Sequence, residues 1–152
     1  MSSSADRSRR ALPVVVLLAL ATSSCTGTVP MEAAPTAADV GCAEIAARLP
    51  SDVVGLTQRE TDAQGTGAWG EPALVLLRCG VPDPGPSAAC ITERDVDWTI
   101  DDSDAAVVVV ATSYGRDPVV EVVLGAGLSG GREILAALAP AVSSVPATRR
   151  CS

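Results

Sequence analysis

Five cysteines, at positions 25, 42, 79, 90 and 151, limit this chain more than any other feature. An odd count in an exported protein leaves one thiol with a separate task, and the segment before Cys25 marks the chain as exported. Residues 1–10 are polar and carry Arg7, Arg9 and Arg10. Residues 11–21 (ALPVVVLLALA) are apolar without interruption, and Thr22, Ser23 and Ser24 then lead into Cys25. A basic start, a short apolar run and a small-residue site make residues 1–24 a secretory signal peptide, with a run too short to cross a bilayer. Cys25 stands where a lipoprotein signal is cut, so a lipid on its sulfur accounts for the odd count. The competing reading cuts after Ala21, at Ala19-Leu20-Ala21, and leaves Cys25 free. It draws support from Thr22, which occupies the place where a lipobox prefers Leu. Ser8-Arg9-Arg10-Ala11-Leu12 also resembles a twin-arginine export signal. No later stretch is long and apolar enough to span a membrane.

Four cysteines remain, and an oxidising compartment favours two disulfides among Cys42, Cys79, Cys90 and Cys151. Three pairings are possible. Cys79 and Cys90 flank a Pro/Gly-rich loop, GVPDPGPSAA, that is able to double back. The spacing therefore predicts Cys79–Cys90, with Cys42–Cys151 joining the two ends of the domain. No C-x-x-C spacing suggests a metal site instead.

Removing residues 1–24 takes Asp6 and three arginines from 18 acidic and 11 basic residues. The remaining 128 residues carry 17 acidic and 8 basic side chains, a net charge of −9. This balance disfavours nucleic acid or an anionic surface as an electrostatic partner. The chain lacks His, Lys, Asn and Phe, and every basic residue is Arg. That removes Ser-His and Cys-His couples, His metal ligands, Schiff-base amines and the P-loop lysine. Only Trp69, Trp98 and Tyr114 are aromatic, so the core must be aliphatic and disulfides matter to it.

Residues 25–38 are small, polar and Pro-containing, and read as a flexible tether carrying the lipid. Asp39 caps a helix on which Cys42, Ile45, Ala46 and Leu49 share one face until Pro50 ends it. Residues 56–61 suggest an edge strand. Better strand candidates are 73–79, 96–100, 106–113 and 119–124, linked by turns short enough for an antiparallel meander. Residues 132–143 form a second helix, with Ile134, Leu135, Leu138 and Val142 inward and Pro140 kinking or shortening it. The expected architecture is one α+β domain over 39–152. It has an antiparallel four- or five-stranded sheet, an N-terminal and a C-terminal helix packed on one face, and two disulfides.

Several blocks together resemble one family. They are CAEIAARLP at 42–50, AWGEPALVLLRCGV at 68–81, Cys90, Val96-Asp97-Trp98, SYGRDPVV at 113–120 and Cys151. The family comprises actinobacterial secreted proteins and lipoproteins, catalogued as domain of unknown function 3515 (DUF3515). The resemblance runs from about Cys42 to Cys151. It implies an envelope location and family-type positions at Trp69, Arg78, Trp98 and Arg116, and it implies no activity or cofactor.

Candidate chemistry is sparse. Asp95, Asp97, Asp101, Asp102 and Asp104 invite a Ca²⁺ reading, but DVDWTIDDSD lacks the Gly and terminal Glu of an EF-hand loop. A solvated strand face with an Asp/Ser turn explains them better. Glu71, Asp97, Asp117 and Glu121 offer the carboxylate pair of a small cell-wall hydrolase, which needs a defined separation across a cleft. The turn Tyr114-Gly115-Arg116-Asp117 is the expected binding surface together with Trp69, with Arg116 displayed for a forked contact to a carboxylate or phosphate. Its alternative is a plain turn, with Trp69 in the core. The functional expectation is a non-enzymatic lipoprotein without cofactor on the outer face of the cytoplasmic membrane, or secreted. Its partners would be the membrane, through the lipid, and an envelope protein or glycan, not nucleic acid. A small hydrolase and a small-ligand binder using Arg116 and Trp69 are the alternatives.

Overall fold

The computed structural model describes residues 27–87 and 89–151; the expected signal peptide over 1–24 and Cys25 lie outside the described residues. Helix α1 (Val40–Ala46) starts where Asp39 accepts a hydrogen bond from the Gly41 N–H at 2.7 Å, which satisfies one of the free amides of the first turn. Eight strands follow: β1 (Asp52–Val53), β2 (Leu56–Arg59), β3 (Thr66–Trp69), β4 (Val75–Val81), β5 (Cys90–Glu93), β6 (Val96–Asp101), β7 (Val108–Ser113) and β8 (Val119–Gly125). Helix α2 (Gly131–Val142) closes the order and runs through Pro140 for two more residues.

The architecture is α+β with an antiparallel sheet and two disulfides, but the sheet has eight strands in the order β1-β2-β3-β4-β8-β7-β6-β5, not four or five. The three unanticipated strands are short. β1 has two residues, β3 includes the weak strand formers Gly67 and Ala68, and β5 directly follows the Pro/Gly-rich loop. Each is paired along its length to a neighbouring strand.

Alternation divides the sheet into two faces. Val75, Leu77 and Cys79 of β4 lie opposite Leu124, Val122 and Val120 of β8. They form one buried cluster with Ile45 of α1, Ile134, Leu135 and Leu138 of α2, and both tryptophans. On the other face, Leu76 lies opposite Val123 and Arg78 opposite Glu121.

The disulfide pairing differs from the one expected. Cys42 bonds Cys79 and Cys90 bonds Cys151, with Cα separations of 5.5 and 6.2 Å. The physical reason is strand order. Three strands stand between β4 and β5, which sets Cys79 and Cys90 about 19 Å apart at the usual strand spacing, well beyond the ~7 Å limit for a bridge. The Pro/Gly-rich loop crosses the sheet instead of doubling back. Cys42 faces inward from α1 above β4, and the carboxy-terminal segment returns to the edge strand β5.

The tether also departs from expectation. Val29 N–H donates to Glu60 O at 2.8 Å, Met31 N–H to Asp62 Oδ1 at 2.7 Å, and Thr36 N–H to Gly80 O at 3.1 Å. Ala34 and Ala37 are buried. Residues 29–37 are therefore packed on the sheet. Gly80 makes this possible: its φ is +94°, and a Cβ there would lie 2.4 Å from the Thr36 carbonyl carbon.

Non-reducing peptide mapping should return Cys42–Cys79 and Cys90–Cys151. Loops of 37 and 61 residues each correspond to about 4 kcal/mol on the chain-entropy estimate. Denaturant unfolding of Cys42→Ser/Cys79→Ser and Cys90→Ser/Cys151→Ser proteins should show losses of that order.

Candidate functional site

The anticipated surface does not exist as drawn. Trp69 is fully buried, and its Nε1–H donates to Pro50 O at 2.8 Å, so it is a core residue. Arg116 is 3% exposed and is a clamp, not a displayed side chain. Its guanidinium donates to Val145 O beyond α2 and to Asp95 O, with the Asp95 carboxylate 3.6 Å away. The cause is the carboxy-terminal segment, which lies over the turn. Thr148 N–H donates to Gly115 O at 2.7 Å, and Arg116 bridges Ala147. Gly115, at φ +71°, has no room for a Cβ, which would sit 2.1 Å from Arg149 O. Tyr114 lies half-buried beneath Arg149, whose guanidinium carbon is 5.0 Å from the ring centroid. Asp117 alone of the four is exposed.

The acidic residues are dispersed. Asp97 is 4% exposed and accepts from Thr92 Oγ1 at 2.6 Å and Cys151 N–H at 2.9 Å. Asp101 accepts from Ser103 N–H at 3.0 Å. Among the described residues no three His, Cys, Asp or Glu side chains converge as a metal site would require. Three of the four carboxylates considered for hydrolysis are engaged elsewhere: Glu71 with Arg59, Asp97 as above, and Glu121 with Arg78 Nη2 at 2.7 Å.

Of several concavities on the surface, two are lined mostly by apolar residues. A shallow one of about 250 Å³ lies on the outer sheet face, between Met31 of the draped amino-terminal segment and the Arg78–Glu121 pair, floored by Leu76 and Val123. The second, about 480 Å³, opens between the start of α2 and strands β5–β8. Ile91, Ile100, Val109, Leu124 and Leu135 form its walls, with Arg132 and Asp102 at the lip. It is mostly apolar and within the ~300–1,000 Å³ range of small-molecule sites. Arg132 is tied to Glu93. The groove was not legible in the sequence, because its walls come from five separate elements whose order along the sheet had to be known first. Ile91, the one large aliphatic residue of CITE, flanked by Cys90 and Thr92, was the one local hint.

Fold and surface together define a disulfide-stapled, open-faced α+β domain with an apolar groove beside its second helix. The chain belongs to the family described as protein of unknown function (DUF3515), whose model matches residues 11–150. Comparison with curated proteins and with solved structures gives no match.

The carboxy-terminal strap has a pH signature. The Gly85 N–H, then the Arg149 guanidinium, holds the Asp83 carboxyl below the usual carboxylate range. Hydrogen bonding and charge from Arg150, then Arg116, do the same for Asp95. A carboxylate whose folded pKa is depressed contributes stability that is complete above its unfolded value, near pH 4, and is lost as pH falls through the folded one. The melting temperature should therefore drop as pH falls below about 4, and Asp95→Asn should flatten part of that drop. Arg116→Met removes charged donors from two carbonyls. At neutral pH it should cost roughly 1–3 kcal/mol in denaturant unfolding, where an exposed turn residue would cost under about 0.5.

Proposed function

We propose that the protein is a non-enzymatic lipoprotein of the cell envelope. It is tethered by a lipid on Cys25 to the outer face of the cytoplasmic membrane, and its folded domain binds or supports another envelope component. The observation that carries this reading is the cysteine arrangement. Four cysteines pair among themselves, as suits an oxidising compartment, and the fifth stands at the end of an export signal. The non-enzymatic part draws support from Glu71, Asp97 and Glu121, each of which serves a structural partner.

A second reading, a small-ligand binder, is favoured by the apolar groove beside α2. It does not use Arg116 or Trp69, which are enclosed.

Fractionation of cells making the Cys25→Ser protein should move it from membranes into the medium. A mature amino terminus at Thr22, with Cys25 unmodified, would establish a secreted protein instead. A photo-crosslinking residue at Ile91 should capture one envelope component in intact cells, and the same residue at Val40, far from the groove, should not.

A further inference from the structure

The amino-terminal segment leaves the fold at a defined place and in a defined direction. Arg59 Nη2 donates to Gly27 O at 2.6 Å, while Nη1 donates to Gly70 O at 3.2 Å and ion-pairs with Glu71. One guanidinium thus holds the exit against the turn between β3 and β4. Val29 makes a parallel bridge with Thr61, so the segment runs in the same direction as the end of β2. Followed backwards, it heads toward the end of the sheet where that turn lies. Only Thr26 separates Cys25 from Gly27, and two residues span at most about 7 Å.

The same end of the sheet carries the β1–β2 hairpin, the β6–β7 turn and the link from β8 into α2. Of the three large apolar side chains exposed among the described residues, Val54 at 54% and Val107 at 56% sit here. Val40, at 75%, sits at the opposite end, next to Gly41, whose neighbour is Pro118. The apolar groove also opens here. Its lip includes Asp102 of the β6–β7 turn and Gly131, the first residue of α2, and Val107 lies two residues before its wall residue Val109.

We propose that this end of the domain rests on the membrane surface and that the groove beside α2 takes one hydrocarbon chain of a membrane lipid. The inference rests on lipidation of Cys25. The short exit holds the domain within reach of the bilayer, and five aliphatic side chains give a chain a wall of its own chemistry. The polar head stays outside, at the lip with Arg132 and Asp102. Asp101, Asp102 and Asp104 mark this end as acidic, so charge does not draw it to anionic headgroups. The covalent anchor does that work, and the Cys25→Ser protein should not bind anionic vesicles.

Two measurements test the proposal. In the first, the soluble Cys25→Ser protein is titrated with a single-chain fatty acid carrying an environment-sensitive fluorophore at its tail. Saturable binding is expected. Ile91→Trp and Val109→Trp, which fill the groove from half-buried wall positions, should weaken it several-fold, while Ile91→Ala retains it. Absence of saturable binding, or equal binding by folded tryptophan variants, would overturn the site. In the second, membrane-bound protein with Val54→Cys, Val107→Cys or Val40→Cys is treated with a bulky, impermeant maleimide. The first two should react several-fold more slowly than the third. A Gly-Ser spacer of about ten residues after Thr26, spanning roughly 17 Å, should abolish the difference. Equal rates in the anchored protein would overturn the orientation. Failure of the lipid reading looks different: the protein appears in the soluble fraction with unmodified Cys25. That removes the membrane as source of the chain, while fatty-acid binding by the groove is still read by the first measurement.

Discussion

An eight-stranded sheet presents more face than two short helices are able to cover. At the usual spacing the strands extend about 34 Å from edge to edge, whereas a twelve-residue helix is about 18 Å long. With α1 at seven residues and α2 at twelve, part of the inner face near β5, β6 and β7 stays open, and that opening is the groove. Among the described residues the outer face carries no helix. It is partly shielded by irregular chain instead, with residues 29–37 on one side and the Thr148–Cys151 strap on the other.

Covering a sheet with irregular chain leaves backbone polar groups to satisfy, and this protein meets that need largely with arginine. Seven of the eight arginines among the described residues make ion pairs, and several of these also donate to carbonyls. Arg59 reaches Gly27 and Gly70, Arg116 reaches Val145 and Asp95, and Arg150 reaches Asp95. A planar fork with five donors suits this role better than an ammonium. The positive charge is thus spent holding segments down, and the groove beside α2 is lined mostly by aliphatic side chains.

Much of this was legible along the chain, and the failures share one origin. Both helices and the longer strands announced themselves by periodicity, and Asp39 by its capping position. What local pattern could not reveal was adjacency. Arg116 looked like a displayed turn residue because nothing nearby in sequence covers it; the cover comes from Ala147 and Thr148. Cys79 and Cys90 looked like partners because a flexible loop joins them, yet β8, β7 and β6 stand between their strands. The tether looked flexible because it is small and polar, and Gly80, which receives it, lies more than forty residues away. Local sequence around Trp69 fits a surface platform or the core, and burial decides for the core.

The Cys42–Cys79 bond has a mechanical consequence. A force applied through an anchor at the amino terminus first meets the hydrogen bonds of residues 27–37, which yield one after another. It then reaches Cys42 and passes by a covalent link into β4, which has three strands on one side and four on the other. Peeling stops there. The load is delivered to the middle of the sheet, where ladders on both flanks must shear together before anything further gives way. A pull on the amino terminus would in this way be kept from unravelling the domain from the end by which it is held.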